Sequence, residues 1–241
     1  MDLRAEILKL RASPAAREQA QRYKEELAES LLRMLCPLLE GCNPLFIPCP
    51  LASKKASVCY AELTHDNLDS FYLEKLCEVA VNEGNLAVKL GPISGNLCAF
   101  DIDRDDLIEP FIKLNPALKE TLRTKGQDGC QFWFRVEGIY PEKVIPLIDG
   151  DGKPVGEWRG GGNALSTIYG VHESSQRHIR SHAPPSHWLR YRFIVQKPIV
   201  TITYDDLQIP GDWFDLNSVY GFYGPKVCKE TNGEIQKSQL E

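Results

Sequence analysis

Leu97-Cys98-Ala99-Phe100-Asp101-Ile102-Asp103 sets the terms on which the rest of the chain is read. Four apolar residues lead into an alternating acid, apolar, acid ending. Along an extended strand successive side chains point to opposite faces, so Phe100 and Ile102 are expected in a core and Asp101 and Asp103 together on the other face. Two carboxylates on one rigid face suit a hard divalent cation, magnesium or manganese, of the kind that bridges phosphates in phosphoryl transfer. Such a pair also ends ordinary strands in solvent, and it occurs in glycosyltransferases and nucleases, so alone it does not select a function.

A third acid lies in Val155-Gly156-Glu157-Trp158-Arg159, a short strand that opens into Gly160-Gly161-Gly162, where backbone can approach a ligand closely. If this strand neighbours the first, Glu157 completes a three-carboxylate metal site. The plainer alternative is a Glu paired with a nearby arginine. Arg159 falls on the same face as Glu157, where it can grip a triphosphate bidentately or neutralise an acid.

On the N-terminal side, Asn85 to Leu90 reads as a strand joined through Gly91-Pro92 and Ser94-Gly95-Asn96 to Leu97–Asp103 as a hairpin. A helix capped by Thr64 or Asp66 is expected before it, with Leu68, Phe71, Tyr72, Leu76 and Val79 on one face and Gly84 at its end. A strand is expected around Ser57 to Ala61, whereas Asn43 to Leu51 reads as irregular because of its prolines. The first forty residues read as helix: Ser13-Pro14 starts it, Leu27, Leu31, Leu35 and Leu38 recur at helical spacing, and Pro37 and Gly41 end it. Downstream come a helical stretch near Asp105 to Lys113 and strands around Cys130–Val136, Val155–Arg159, Ala164–Tyr169 and Leu189–Val195. Mixed elements with hairpin-like links point to an α+β domain rather than a doubly wound parallel sheet.

With 241 residues, 43% of them hydrophobic, the chain can bury one substantial core or two small lobes. No run approaches the roughly 20 apolar residues of a membrane helix, and the charged stretch Met1–Leu10 lacks the apolar centre of a secretory signal. A cytoplasmic protein with no membrane partner is expected. Eight cysteines without a C-x-x-C pair fit a reducing compartment. Zinc is not expected, since Cys36, Cys42, Cys49 and Cys59 are irregularly spaced and His178, His182 and His187 flank a Pro184-Pro185 loop. The net charge of −5 argues mildly against a nucleic-acid partner. From Trp158 to Lys197, however, six cations accompany the single acid Glu173, as either a solvated loop region or a phosphate-binding patch.

The order of these motifs resembles the primase/polymerase domains of the archaeo-eukaryotic primase superfamily, found in plasmid, phage and other mobile-element replication proteins. The resemblance covers about residues 45 to 193. It runs from Leu45-Phe46-Ile47-Pro48 and Ser53-Lys54-Lys55, through Asn85-Leu86-Ala87-Val88 and Gly95-Asn96-Leu97, to the acidic strand Ala99–Asp103. Thr124-Lys125-Gly126, Phe132-Trp133-Phe134, Gly156-Glu157-Trp158-Arg159 and Tyr169-Gly170-Val171-His172 follow. No single piece is specific; their shared order and spacing are.

The resemblance implies a two-part primase fold with an RRM-like mixed sheet carrying the acids. Together with the reading of the residues, this divides the chain into an N-terminal helical segment over residues 1–42, a catalytic domain over 43–225 and a polar tail or linker over 226–241. The implied activity is a template-dependent nucleotidyltransferase, a DNA primase/polymerase that uses nucleoside triphosphates on a single-stranded DNA template and primer. Asp101, Asp103 and Glu157 would hold two divalent ions, Mg2+ or Mn2+. Lys54, Lys55, Arg159 and His172 would contact nucleotide, though each also fits an ordinary surface or structural role. Where the family usually carries the histidine of a Ser-x-His motif, this chain has Gln131, which can donate a hydrogen bond but cannot become cationic. That departure bears on nucleotide affinity and on initiation as distinct from extension.

Arg177, Arg180, Arg190 and Arg192 are the expected nucleic-acid contacts. Trp188, Tyr191 and Phe193 could stack on unpaired bases, at about 1–3 kcal/mol each, unless strand alternation sends them into the core. With no GxxxxGK[ST] loop, any unwinding motor must be a separate helicase domain or protein. The competing functions are a catalytically silent single-stranded-DNA or origin-binding module and a metal-dependent nuclease.

Overall fold

The computed structural model describes residues 14–215 and 227–228. β3 (Leu97–Ile102) lies inside an eight-stranded sheet, antiparallel to β5 (Cys130–Glu137) on one side and β7 (Pro154–Arg159) on the other. β6 (Val144–Ile148) and then β12 (Phe214–Asp215) continue beyond β7. Along the far edge of β5, β4 (Arg123–Lys125) pairs one half and β10 (Val200–Thr203) the other, and β9 (Arg192–Val195) adds to β4. The β10 pairing is parallel; the rest of this sheet is antiparallel. A second, three-stranded antiparallel sheet has the order β1 (Leu45–Cys49), β2 (Asn85–Lys89), β8 (Leu165–Tyr169). With α1 (Pro14–Leu35), α2 (Ser70–Val81), α3 (Ile108–Leu114) and α4 (Gln176–Arg180), the described residues form an α+β fold built on a large, chiefly antiparallel sheet.

β3 is covered on both faces. Cys98, Phe100 and Ile102 enter one core with Phe132, Phe134 and Trp158 from the flanking strands and with Phe111 of α3, which stacks on Phe100 at 4.5 Å between ring centroids. Leu97 and Ala99 enter a second core, between the sheets, with Trp133, Leu86 and Val88. Burying each large side chain contributes about 1.5–3 kcal/mol, which is why the strand's sequence is apolar until its end. Leu35, Leu38 and Leu39, at the end of α1 and in the turn after it, join this second core, while Leu27 and Leu31 are half-buried. No described helix is long and apolar enough to cross a membrane.

Several local expectations are corrected. β2 and β3 form no hairpin ladder: β1 and β8 fill both edges of β2, and β5 and β7 fill both edges of β3, leaving a single bridge between Gly91 and Leu97. Ser57–Ala61 is not a strand. Its neighbourhood folds around the buried ammonium of Lys89, which donates to the Tyr60, Ala61 and Leu63 carbonyls at 2.9, 2.7 and 3.3 Å. Residues Leu45–Cys49, read as irregular, form β1 despite Pro48. The cap of α2 is Asp69, whose carboxylate accepts from Tyr72 N at 2.8 Å, while Thr64 caps a separate turn, His65–Asn67, and Phe71 faces solvent. Ser13 lies outside the described residues. Of the expected tail 226–241, Val227–Cys228 is described, as β13, parallel to β11 (Ile209–Pro210).

Two glycines let neighbouring backbone press on the acidic end of β3. A Cβ on Gly156, at φ +149°, would lie 2.0 Å from the Asp101 carbonyl oxygen, and one on Gly129 would lie 1.7 Å from that of Ile102. Gly156→Ala should therefore cost about 3 kcal/mol in urea unfolding. Gly152→Ala, at φ +77° with no atom within 4 Å, should cost about 1 kcal/mol for backbone conformation alone. Equal losses would show that contact with β3 is not what fixes the glycine.

Candidate functional site

The register places Asp101 opposite Glu157 on β7 and opposite Gln131 on β5, so the three form a row across the central strands. Asp103 follows two residues later, beyond the end of β3, where its amide donates to the Val155 carbonyl at 3.0 Å. Asp101 and Asp103 both line a cavity of about 300 Å3 on the side of the sheet facing β8, and Asp101 is 26% exposed.

Arg159 is the plainer alternative realised. It sits diagonally from Asp101, opposite Ala99. Its Nη2 reaches Asp101 Oδ2 at 2.9 Å and the same nitrogen pairs with Glu157, to which Nε also donates at 2.7 Å. Nη1 crosses to the second sheet, donating to Leu165 O at 3.1 Å and Ser166 Oγ at 3.2 Å. Gln131 Nε2 donates to the same Ser166 hydroxyl at 3.1 Å. Gln131 thus lines the cavity while holding the arginine's partner in place.

Burial raises the Asp101 carboxyl above its ordinary range; Asp103 and Glu157 add to the rise, and Arg159 and Lys54 oppose it. Burial also raises Asp103, with Glu157 adding to it. Burial disfavours the Arg159 charge, but Asp101 and then Glu157 more than offset it. Arg159 and Lys54 are the cations that act on both aspartates.

Lys54 and His172 stand on another wall of the cavity. The buried Asn85 side chain brings their segments together, since Nδ2 donates to Ser53 O at 3.0 Å and Val171 O at 2.8 Å while Oδ1 accepts from Val171 N at 2.7 Å. Lys54 is half-exposed and pairs with Glu173 at 2.8 Å. His172 Nδ1 accepts from Ser174 N at 3.2 Å, which leaves the proton of the neutral ring on Nε2. Burial, and then Lys54, push its pKa down. Lys55 is exposed and is not part of the cavity lining.

Sequence reading missed Thr124, Thr167 and Tyr191 as cavity residues. They come from β4, β8 and the loop before β9, and no local pattern links them. The loop Gly126–Asp128 adds another wall. Asp105 ties it down, its Oδ1 accepting from Gly129 N at 2.9 Å and from Lys125 Nζ.

The expected nucleic-acid residues divide. Arg177 and Arg180, on α4, and Arg192, on β9, are exposed, whereas Arg190 pairs with Glu83. Trp188, Tyr191 and Phe193 are half-buried rather than displayed.

The donor set at the acids is all oxygen, so it fits a hard divalent ion in chemistry. Among the described residues, though, no three His, Cys, Asp or Glu side chains are gathered as ligands. Arg159 lies between Glu157 and Asp101, so closing all three acids on an ion requires the guanidinium to yield. Cys36, Cys42, Cys49 and Cys59 are free thiols.

No protein-family model matches this chain, and no curated protein matches it.

A buried charge stripped of its partner is costly, so Arg159→Ala should lower stability by about 3–5 kcal/mol. Asp101→Asn in the same chain should recover part of the loss, with a coupling of about 1 kcal/mol or more in a double-mutant cycle. Strictly additive losses in denaturant unfolding would mean that Arg159 does not neutralise Asp101.

Proposed function

We propose that this chain is a template-dependent nucleotidyltransferase of the primase/polymerase kind, extending a 3′ hydroxyl on single-stranded DNA from nucleoside triphosphates. The observation that carries this reading is the juxtaposition of two opposite requirements in one cavity: an acidic floor, Asp101 and Asp103 with Glu157 in register beside them, and a wall bearing Lys54 and His172. A metal-bound triphosphate needs both, one for the cations and one for the phosphates. The resemblance of the sequence motifs, in order and spacing, to primase/polymerase domains supports the same reading.

In this reading Asp101 and Asp103, joined by Glu157 once Arg159 swings from it, would hold two divalent ions, Mg2+ or Mn2+. When bound, such ions make the 3′ hydroxyl a better nucleophile and neutralise the phosphates. Arg159 would offer its planar fork to the triphosphate. Lys54 adds charge to the same end, and His172 donates from Nε2. Gln131, held by Ser166, shapes the cavity wall instead of supplying a cation. Arg177, Arg180 and Arg192, which are exposed, would meet template or primer phosphates, and a helicase would be a separate partner.

One observation favours a second reading. The ion pairs of Arg159 with Asp101 and Glu157 neutralise the acids without any cation from outside. A catalytically silent single-stranded-DNA or origin-binding module would keep such an arrangement permanently.

Primer extension separates the two. With Mg2+ or Mn2+ the wild-type chain is expected to extend a primer, and Asp101→Ala and Asp103→Ala should each reduce the rate about a hundredfold or more. Activity surviving both substitutions removes the mechanism. Salt-sensitive DNA binding that ignores divalent ions and loss of the acids identifies the silent module, and strand cleavage without nucleotides a nuclease.

A further inference from the structure

Glu157 stands in the acidic row but is not among the residues that line the cavity. Asp101, Asp103 and Arg159 are. The guanidinium accounts for the difference, since Nε and Nη2 both donate to Glu157 Oε1, the first at 2.7 Å, while Nη2 also meets Asp101 Oδ2 at 2.9 Å. Two donors converging on one carboxylate oxygen occupy the lone pairs that a cation would use.

The arginine is itself tied at its other nitrogen. Nη1 donates to Leu165 O at 3.1 Å and Ser166 Oγ at 3.2 Å, and Gln131 donates to the same hydroxyl at 3.1 Å. The Arg159 side chain is 15% exposed, so taking it off Glu157 disturbs bonds to both sheets with little water to replace them. Asp103 is in the opposite situation: it is exposed, beyond the end of β3, and borders the cavity. Asp101 is engaged by Arg159 through Oδ2, one of its two oxygens.

We infer that Arg159 withholds Glu157 from divalent cations, so that without nucleotide an ion is held by Asp101 and Asp103 alone and competes with the guanidinium for Asp101. Like charges sharing one carboxylate repel, so the arginine also sets how tightly the aspartates hold the ion. This rests on the reading above, in which Glu157 joins the aspartates only when Arg159 leaves it.

Mn2+ alone is the probe, titrated against the full chain with the free ion followed by electron paramagnetic resonance, and with thermal melts and primer extension run alongside. Asp103→Asn is expected to weaken Mn2+ binding about tenfold or more, and Glu157→Gln by less than about threefold. Arg159→Met should tighten it about tenfold. Mn2+ should also raise the melting temperature of that variant more than that of the wild type, because the ion replaces the lost counter-charge. Adding Glu157→Gln to Arg159→Met should cancel most of the gain, since only there does Glu157 become a ligand. Glu157→Gln weakening the wild type as much as Asp103→Asn overturns the inference, as does Arg159→Met binding Mn2+ no more tightly than the wild type. Should Arg159→Met not fold, the comparison of Glu157→Gln with Asp103→Asn decides alone. If Glu157→Gln matches Asp103→Asn while the wild type extends primers, the functional reading stands without this role for Arg159. If binding follows the expected pattern but no primer is extended, the cation site stands and the polymerase reading falls. Absence of Mn2+ binding in both the wild type and Arg159→Met overturns the cation site outright.

Discussion

An ionised carboxylate beside two apolar layers needs a counter-charge within reach, and Asp101 stands at the end of a strand buried on both faces. Both edges of β3 are hydrogen-bonded and both faces are covered, so an acid is tolerable only where the space between the sheets gives way to the cavity. Arg159 supplies the charge at that point. To do so it draws on the Leu165 carbonyl and Ser166 hydroxyl of β8. The ion pair that makes the acids affordable therefore also ties the two sheets together.

That double engagement holds the Arg159 guanidinium between the acids and the second sheet. Gln131 supports this arrangement by donating to the Ser166 hydroxyl that Arg159 also uses. A histidine at that position would bring a titratable ring to the cavity, whereas the amide brings a fixed, neutral hydrogen bond. The opposite wall is positioned by Asn85, whose amide bonds span Ser53 and Val171 and so carry Lys54 and His172.

Where reading along the chain went astray, a distant partner outweighed the local signal. The glycine-rich link before Leu97 looks like a hairpin turn, but a hairpin needs a free edge on each strand, and β2 and β3 have none to spare. Ser57–Ala61 has strand-like residues, yet Lys89, nearly thirty residues away, attracts the carbonyls of this neighbourhood. Pro48 argued against a strand, but β1 is an edge strand, where a missing amide donor is tolerated. Phe71 continued an apolar stripe that the helix, started later by Asp69, turned toward water.

Residues two to four apart carried the rest. The alternation in Leu97–Asp103 settled which side chains enter the core and which face the cavity, and Glu157 and Arg159 were already assigned to a shared face. Mixed elements with hairpin-like links were enough for the α+β class. What folding alone supplied was adjacency between segments far apart in sequence: β7 beside β3, Arg159 between two acids, and Thr124, Thr167 and Tyr191 around one cavity. Periodicity records which way a side chain points because that is fixed by the backbone of its own strand. It is silent on what the side chain meets, because that is decided by strand pairing and sheet packing between segments distant in the chain.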